Sequence, residues 1–238
     1  MLLHKQRGAE RFKPIRQRAA NQVQEAILRG HYQPGDEISQ LALARELGLS
    51  QASIREALQE LEHRGLLQKQ RRTWLITRLT ETDLSHLYQV RALLEPLACR
   101  LAAFEFSQET GARLEQCLAR MTEAAKAGHY AEHSRADIEF HQLIWKNQPN
   151  RLLEKHLNML CLPLFAFDLL KRTRLVCLDF ERSLRQHRLI VGLLRARDGE
   201  RAERVVRRLM QRFHRQDIED FRRIEVESAS AGTASRVP

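Results

Sequence analysis

Residues Ile38 to Arg64 read ISQLALARELGLSQASIREALQELEHR, two short amphipathic segments joined at Gly48. Apolar Ile38, Leu41, Leu43, Leu47 and Leu49 are followed by Ile54, Leu58 and Leu61, the latter at the i, i+4, i+7 spacing of one buried helix face. The opposite face carries Gln51, Ser53, Arg55, Gln59 and Arg64, side chains that can reach phosphates or base edges. Ser50 stands where an N-cap belongs. This is the plan of a helix-turn-helix whose second helix reads DNA.

Working outward, residues 1–14 form a basic arm. A helix is predicted over Ile15–Arg29, with Ala19, Val23, Ala26 and Ile27 inward, ended by Gly30. Gln33-Pro34-Gly35-Asp36 makes a turn. On the other side Gly65 ends the second helix. Leu66–Gln70 and Trp74–Thr77 read as strands around a turn at Arg71-Arg72-Thr73. Three helices and a hairpin give a winged helix-turn-helix over residues 15–78.

Beyond it the strand signals vanish. Thr80 and Asp83 have the spacing of a capping box. Helices are predicted at about 81–104, 108–127, 130–147, 150–174, 179–197 and 200–226, with Pro163 expected to kink or split the fourth. The fold class is therefore mainly α, the winged helix-turn-helix being followed by an all-α bundle over 79–227. Ser228–Pro238 reads as a disordered tail.

The chain has 238 residues, 43% of them hydrophobic, enough for a core in each part, and its net charge of +10 favours a polyanionic partner. No apolar run is long enough to span a membrane, and the N-terminus lacks the apolar core of a signal peptide. Cys99, Cys117, Cys161 and Cys177 form no C-x-x-C pair. A cytoplasmic protein with free buried thiols is the expectation.

At the level of motifs the chain resembles GntR-family transcriptional regulators of the FadR type with an FCD ligand-binding domain. In the first part the resemblance rests on ILRGHYQPGDEIS, LARELGLS and SIREALQELEHRGLL. In the second it rests on VRALLEPLACRLAA (Val90–Ala103), DIEFH (Asp137–His141) and QHRLIVGLLRARD (Gln186–Asp198). It implies a homodimer that binds a palindromic double-stranded DNA operator and responds to a small-molecule effector held in residues 79–227.

For DNA, the resemblance places Arg55 in the major groove. Arg can bond guanine and Gln adenine bidentately, so Gln51 joins it, with Ser50 and Ser53 adding phosphate or base contacts. The family usually has Arg at the position of Gln51, which implies a different half-site. Its wing tip usually carries glycine; here Arg71-Arg72-Thr73-Trp74 stand there. Arg71 and Arg72 can hold phosphates or enter a narrow minor groove, and Trp74 reads as a packing residue.

For the effector, Asp137 and His141 share one helix face and can grip one divalent metal. His187 lies eleven residues before Asp198 and faces residue 209, eleven after it, across an antiparallel turn. In metal-binding relatives that position is a third His; here it is Leu209. Asp137, His141 and His187 remain three ligands, enough for zinc, nickel or a similar ion. Alternatively they are polar residues of an organic pocket without metal. His214 and Gln211 are the nearest replacements for the missing ligand, both off-axis. Arg91 is either the holder of an effector carboxylate or the buried partner of Glu95 at i+4. Arg204, Arg207, Arg208 and Arg212 read as a solvated basic face.

The function that follows is a ligand-responsive DNA-binding transcriptional regulator, expected to be a repressor, with a small carboxylate as effector. Two other readings stand beside it. One is a metal-dependent hydrolase or lyase using the Asp/His site, although no H-E-x-x-H, G-x-S-x-G or phosphate-binding loop accompanies it. The other is a non-specific nucleic-acid binder.

Overall fold

A computed structural model of the chain describes residues 15–174 and 180–234. They belong to two compact units, one ending at Arg78 and the other beginning at Leu79.

In the first unit, α1 (Ile15–Leu28) buries Ala19, Ala20, Val23, Ala26 and Ile27. α2 (Gln40–Leu47) buries Leu43 and Ala44, and α3 (Gln51–His63) buries Ile54, Ala57, Leu58 and Leu61. Both α1 and α2 pack on α3. Ser39 and Ser50 cap α2 and α3, their side-chain oxygens accepting from the N–H of Ala42 and Ser53. Gly48 takes φ 64°, a left-handed turn that costs a glycine little, and its N–H closes α2 by donating to the Ala44 carbonyl.

A three-stranded antiparallel sheet in the order β1-β3-β2 completes this unit, with β1 at Glu37–Ile38, β2 at Leu67–Gln70 and β3 at Thr73–Ile76. Gln70 pairs with Thr73, which leaves Arg71-Arg72 as a two-residue turn, Arg71 at φ 55°. Trp74 is buried, in line with its reading as a packing residue. The sheet corrects the sequence reading in two places. Only a hairpin was expected, with Ile38 inside the first helix of the pair. Instead the Pro34-Gly35 turn folds the chain back along β3. Gly35 N–H donates to the Ile76 carbonyl and Ile76 N–H to the Asp36 carbonyl, so Ile38 pairs with Trp74. Leu41, one of the apolar residues of α2, is 45% exposed.

Among the described residues the second unit has six helices: α4 (Glu81–Phe104), α5 (Gln108–Lys126), α6 (Tyr130–Lys146), α7 (Arg151–Arg174), α8 (Phe180–Arg195) and α9 (Gly199–Ala234). Thr80 and Asp83 form the expected capping box. α4 lies along α9, α5 packs on α6 and α8, and α7 on α4 and α6. A Cβ at Gly199 would come within 2.8 Å of the Arg100 carbonyl oxygen, so glycine is what lets α9 start against the backbone of α4. Far along α9, Arg222 grips Glu81 in the first turn of α4 with two hydrogen bonds, of 2.9 and 2.6 Å.

α7 continues through Pro163 as one helix, so the expected split does not occur. α9 extends to Ala234, well into the stretch read as a tail. The arm at 1–14, the break at Val176–Asp179 with Cys177, and residues 235–238 lie outside the described residues. Cys99, Cys117 and Cys161 are free and buried. Burial pushes the Cys161 thiol up to about 12, so it behaves as an inert apolar residue.

Candidate functional site

In the first unit the outer face of α3 presents exposed Gln51 and Arg55, with half-buried Ser53 between them. Ser50 Oγ is spent as the cap, 3.1 Å from Ser53 N and 3.0 Å from Ser53 Oγ. Arg71 and Arg72 are exposed at the hairpin tip. Lys69 sets its ammonium over the Trp74 ring, 5.5 Å from the centroid, a cation–π contact. Among the described residues Arg55 makes no ion pair with Glu56 and no hydrogen bond to Gln59, so its guanidinium is uncommitted.

In the second unit the helices line a partly open cavity of about 550 Å³. Asp137 and His141 come from α6, where i, i+4 spacing stacks them on the inner face, and His187 comes from α8. All three are buried, and their donor atoms lie within 4.8 Å of one another. Both imidazoles turn Nε2 toward the same oxygen, Asp137 Oδ1, at 3.5 Å from His141 and 2.9 Å from His187. The His187 contact lacks the alignment of a hydrogen bond.

The rings are fixed from the other side. His187 Nδ1 lies 2.8 Å from the Ser183 carbonyl oxygen, and His141 Nδ1 lies 2.8 Å from Glu95 Oε1. Each partner is an acceptor, so each Nδ1 carries the proton and donates it. In the neutral form both lone pairs are then on Nε2, aimed at a carboxylate oxygen. Such an arrangement repels itself unless a proton or a metal ion lies between. In the metal-free chain a proton serves. Burial opposes charge on His141, but Glu95 and then Asp137 raise it from 6.5 to about 9. Burial also opposes ionisation of Asp137, and the two imidazoles beside it, His141 and His187, hold it well below the usual carboxylate range. A zinc ion at bonds of about 2.0–2.1 Å holds its donors roughly 3.3 Å apart, close to the spacings found here. The residues fit a metal.

Leu209 is buried in the cavity wall and offers no ligand. Its two candidate replacements are elsewhere. His214 lies 3.2 Å from Ser85 Oγ and stacks on Tyr88, and Gln211 is exposed. Arg91 pairs with Glu95 at 2.6 Å, buried, and it also lines the cavity. Arg212, read as part of a solvated face, lines the cavity as well.

Sequence reasoning missed the far pole of the cavity. Lys171 Nζ stands 2.6 Å from Asp217, 3.2 Å from Asp168 and 3.7 Å from Asp220. Tyr88 donates its hydroxyl to Asp217 at 2.5 Å, and Arg91 reaches the same hydroxyl at 3.4 Å. One chain of contacts therefore runs from Lys171 through Asp217, Tyr88, Arg91, Glu95 and His141 to Asp137 and His187. A signal was present: Asp217 and Asp220 interrupt the apolar stripe of α9 marked by Val206, Leu209, Phe213 and Ile224.

Comparison with known proteins finds the model described as "Bacterial regulatory proteins, gntR family" over residues 15–73 and the FCD domain over residues 86–212. The chain is 32% identical over 195 residues to the uncharacterized HTH-type transcriptional regulator YdhC of Bacillus subtilis (strain 168), spanning 78% of this chain and 83% of that protein. It is 28% identical over 192 residues to the probable D-xylose utilization operon transcriptional repressor of Paenarthrobacter nicotinovorans, spanning 79% and 83%. The solved structure of McbR/YncC of E. coli shares the fold, with a TM-score of 0.79 at 18% identity over 88% of this chain and 100% of that one.

Proposed function

Because the chain belongs to the gntR family of bacterial regulatory proteins and carries an FCD domain, and is therefore a ligand-responsive DNA-binding regulator and not an enzyme, we propose how its residues divide that work. The hydrolase or lyase reading falls away with the family.

Gln51 and Arg55 on α3 read base edges in the major groove, while Ser53 and the wing residues Arg71 and Arg72 hold the backbone. Ser50 caps α3 with its oxygen and keeps its hydroxyl proton for a phosphate. Asp137, His141 and His187 hold a divalent ion, zinc or nickel. A metal bound there supplies a Lewis-acidic charge for an anionic oxygen. Three protein ligands leave room for a small carboxylate effector, and Leu209 makes the adjoining wall apolar. Two copies of the chain pair through the outer stripe of α4, where Val90, Leu93, Leu97 and Phe104 repeat at heptad spacing and are all exposed. A two-fold pair reads a palindrome. The regulator works as a repressor in the cytoplasm, as the D-xylose relative's name suggests for that protein's mode of action.

The observation that carries the sensing role is the convergence of two imidazole Nε2 atoms on one carboxylate oxygen inside a cavity of about 550 Å³. The effector must bind one state of the regulator better than the other, since equal affinity shifts nothing. Elemental analysis of protein purified without chelators, followed by a thermal-shift screen of carboxylic and sugar acids, tests it. Bound zinc or nickel and a stabilising acid are expected. An acid that binds tightly yet leaves operator affinity unchanged in a gel shift would remove the basis for effector control.

A further inference from the structure

The two ligand imidazoles are held by acceptors of different kinds. His187 donates to the carbonyl of Ser183, four residues earlier on its own helix, an acceptor that any residue at 183 would supply. His141 donates to Glu95, a side chain from another helix that is 1% exposed. Only one residue type of this length and charge serves there.

A carboxylate that deep needs compensation. Arg91 gives it from one turn earlier on α4, its Nε 2.6 Å from Glu95 Oε2, while Oε1 is left to face His141. Glu95 thus has one oxygen for each partner. Its Oε1, 2.8 Å from Nδ1, favours the His141 tautomer with Nδ1 protonated and Nε2 toward Asp137, the form a metal needs.

We propose that Glu95 is the positioning residue of the Asp137–His141–His187 metal site, orienting His141 and strengthening it as a ligand, and that Arg91 acts on the site through Glu95. This rests on the metal reading above and deepens it. It accounts for an arginine on the cavity wall whose Nε is spent on a neighbour, and it ties α4, the first helix of the unit, to the donor set.

The test uses the full chain stripped of metal, with zinc as the probe and a chromophoric chelator in competition. Glu95→Gln keeps the shape and removes the charge; Glu95→Asp keeps the charge for Arg91 and shortens the reach to His141. Both variants are expected to bind zinc about 10–100-fold more weakly than the parent. In the nitrogen-15 spectrum of the zinc-loaded protein, the His141 Nδ1 signal is expected to move while that of His187 stays. Equal zinc affinity in parent and variants overturns the proposal. So does a common movement of both histidine signals, which would make Glu95 a general packing residue. Should Glu95→Gln fail to fold, Glu95→Asp carries the test alone. A parent protein that takes up no zinc or nickel fails earlier, and overturns the metal reading itself.

Discussion

The two units keep the side chains proposed for their work in opposite ways. In the reader, Gln51, Arg55, Arg71 and Arg72 are exposed, and among the described residues none of them holds an intramolecular ion pair. In the sensor, Arg91, Glu95, Asp137, His141, Lys171, His187, Asp217 and Asp220 are all buried and bound to one another. A reader meets its partner at the surface, so its polar groups can wait in water at little cost to the fold. A sensor that encloses its ligand must keep charges out of water before the ligand arrives. Each then needs a partner inside the protein, and stability and sensing rest on the same atoms.

The sharpest way to break this contrast is to remove one ion from each unit. Lys171→Ala leaves Asp217 and Asp220 buried without their ammonium, and a loss of about 3–5 kcal/mol in unfolding free energy is expected, measured by urea melts. A loss under 1 kcal/mol would mean that water already shares the work. Arg55→Ala is expected to cost about 1–3 kcal/mol in operator affinity and to leave the melting curve in place, within about 0.5 kcal/mol. A gel-shift titration beside a thermal melt reads both, and a variant that binds like the parent would take Arg55 out of the interface.

Acidity sharpens the contrast further through His141 and Glu95 of the sensor. The folded state raises His141 from 6.5 to about 9, so its contribution to stability in the metal-free chain is full below about pH 6.5 and lost as pH rises through about 9. Glu95 is lowered from 4.5 to about 2, so its contribution is full above about pH 4.5 and lost as pH falls through 2. Zinc reverses the alkaline side. Its binding displaces the proton between His141 and Asp137, so zinc-loaded protein should gain stability relative to metal-free protein between pH 6.5 and 9. Melts at matched pH with and without zinc check the sign.

The same contrast governs what could be read from the residues alone. In the reader, helix periodicity, the Ser50 cap and the glycines at 48 and 65 are local signals, and they place α1, α2 and α3 closely. β1 escaped because two residues have no period, and their pairing with β3 comes from backbone contacts about 40 positions downstream. In the sensor, Asp137 and His141 are linked by helical pitch, and His187 by the antiparallel return at Asp198-Gly199. Leu209 follows from the same construction. The Lys171 pole and the Glu95–His141 bond join helices separated by 46 to 129 residues, through side chains whose neighbours no spacing rule supplies. Arg91 shows the limit well, since both of its readings were consistent with its helix position and only packing shows that it pairs with Glu95 while it also lines the cavity.

One small feature of the reader runs against its economy. Arg71 sits at φ 55° on the hairpin turn, in a conformation that costs a side-chain-bearing residue about 1–2 kcal/mol and a glycine almost nothing. The chain gives up part of its own stability to keep a cation at that tip. Arg71→Gly should therefore melt at a higher temperature by the equivalent of up to about 1 kcal/mol while binding DNA with a shallower salt dependence. Such a variant would be a better fold and a poorer regulator, which is how a trade between robustness and usefulness looks at a single dihedral angle.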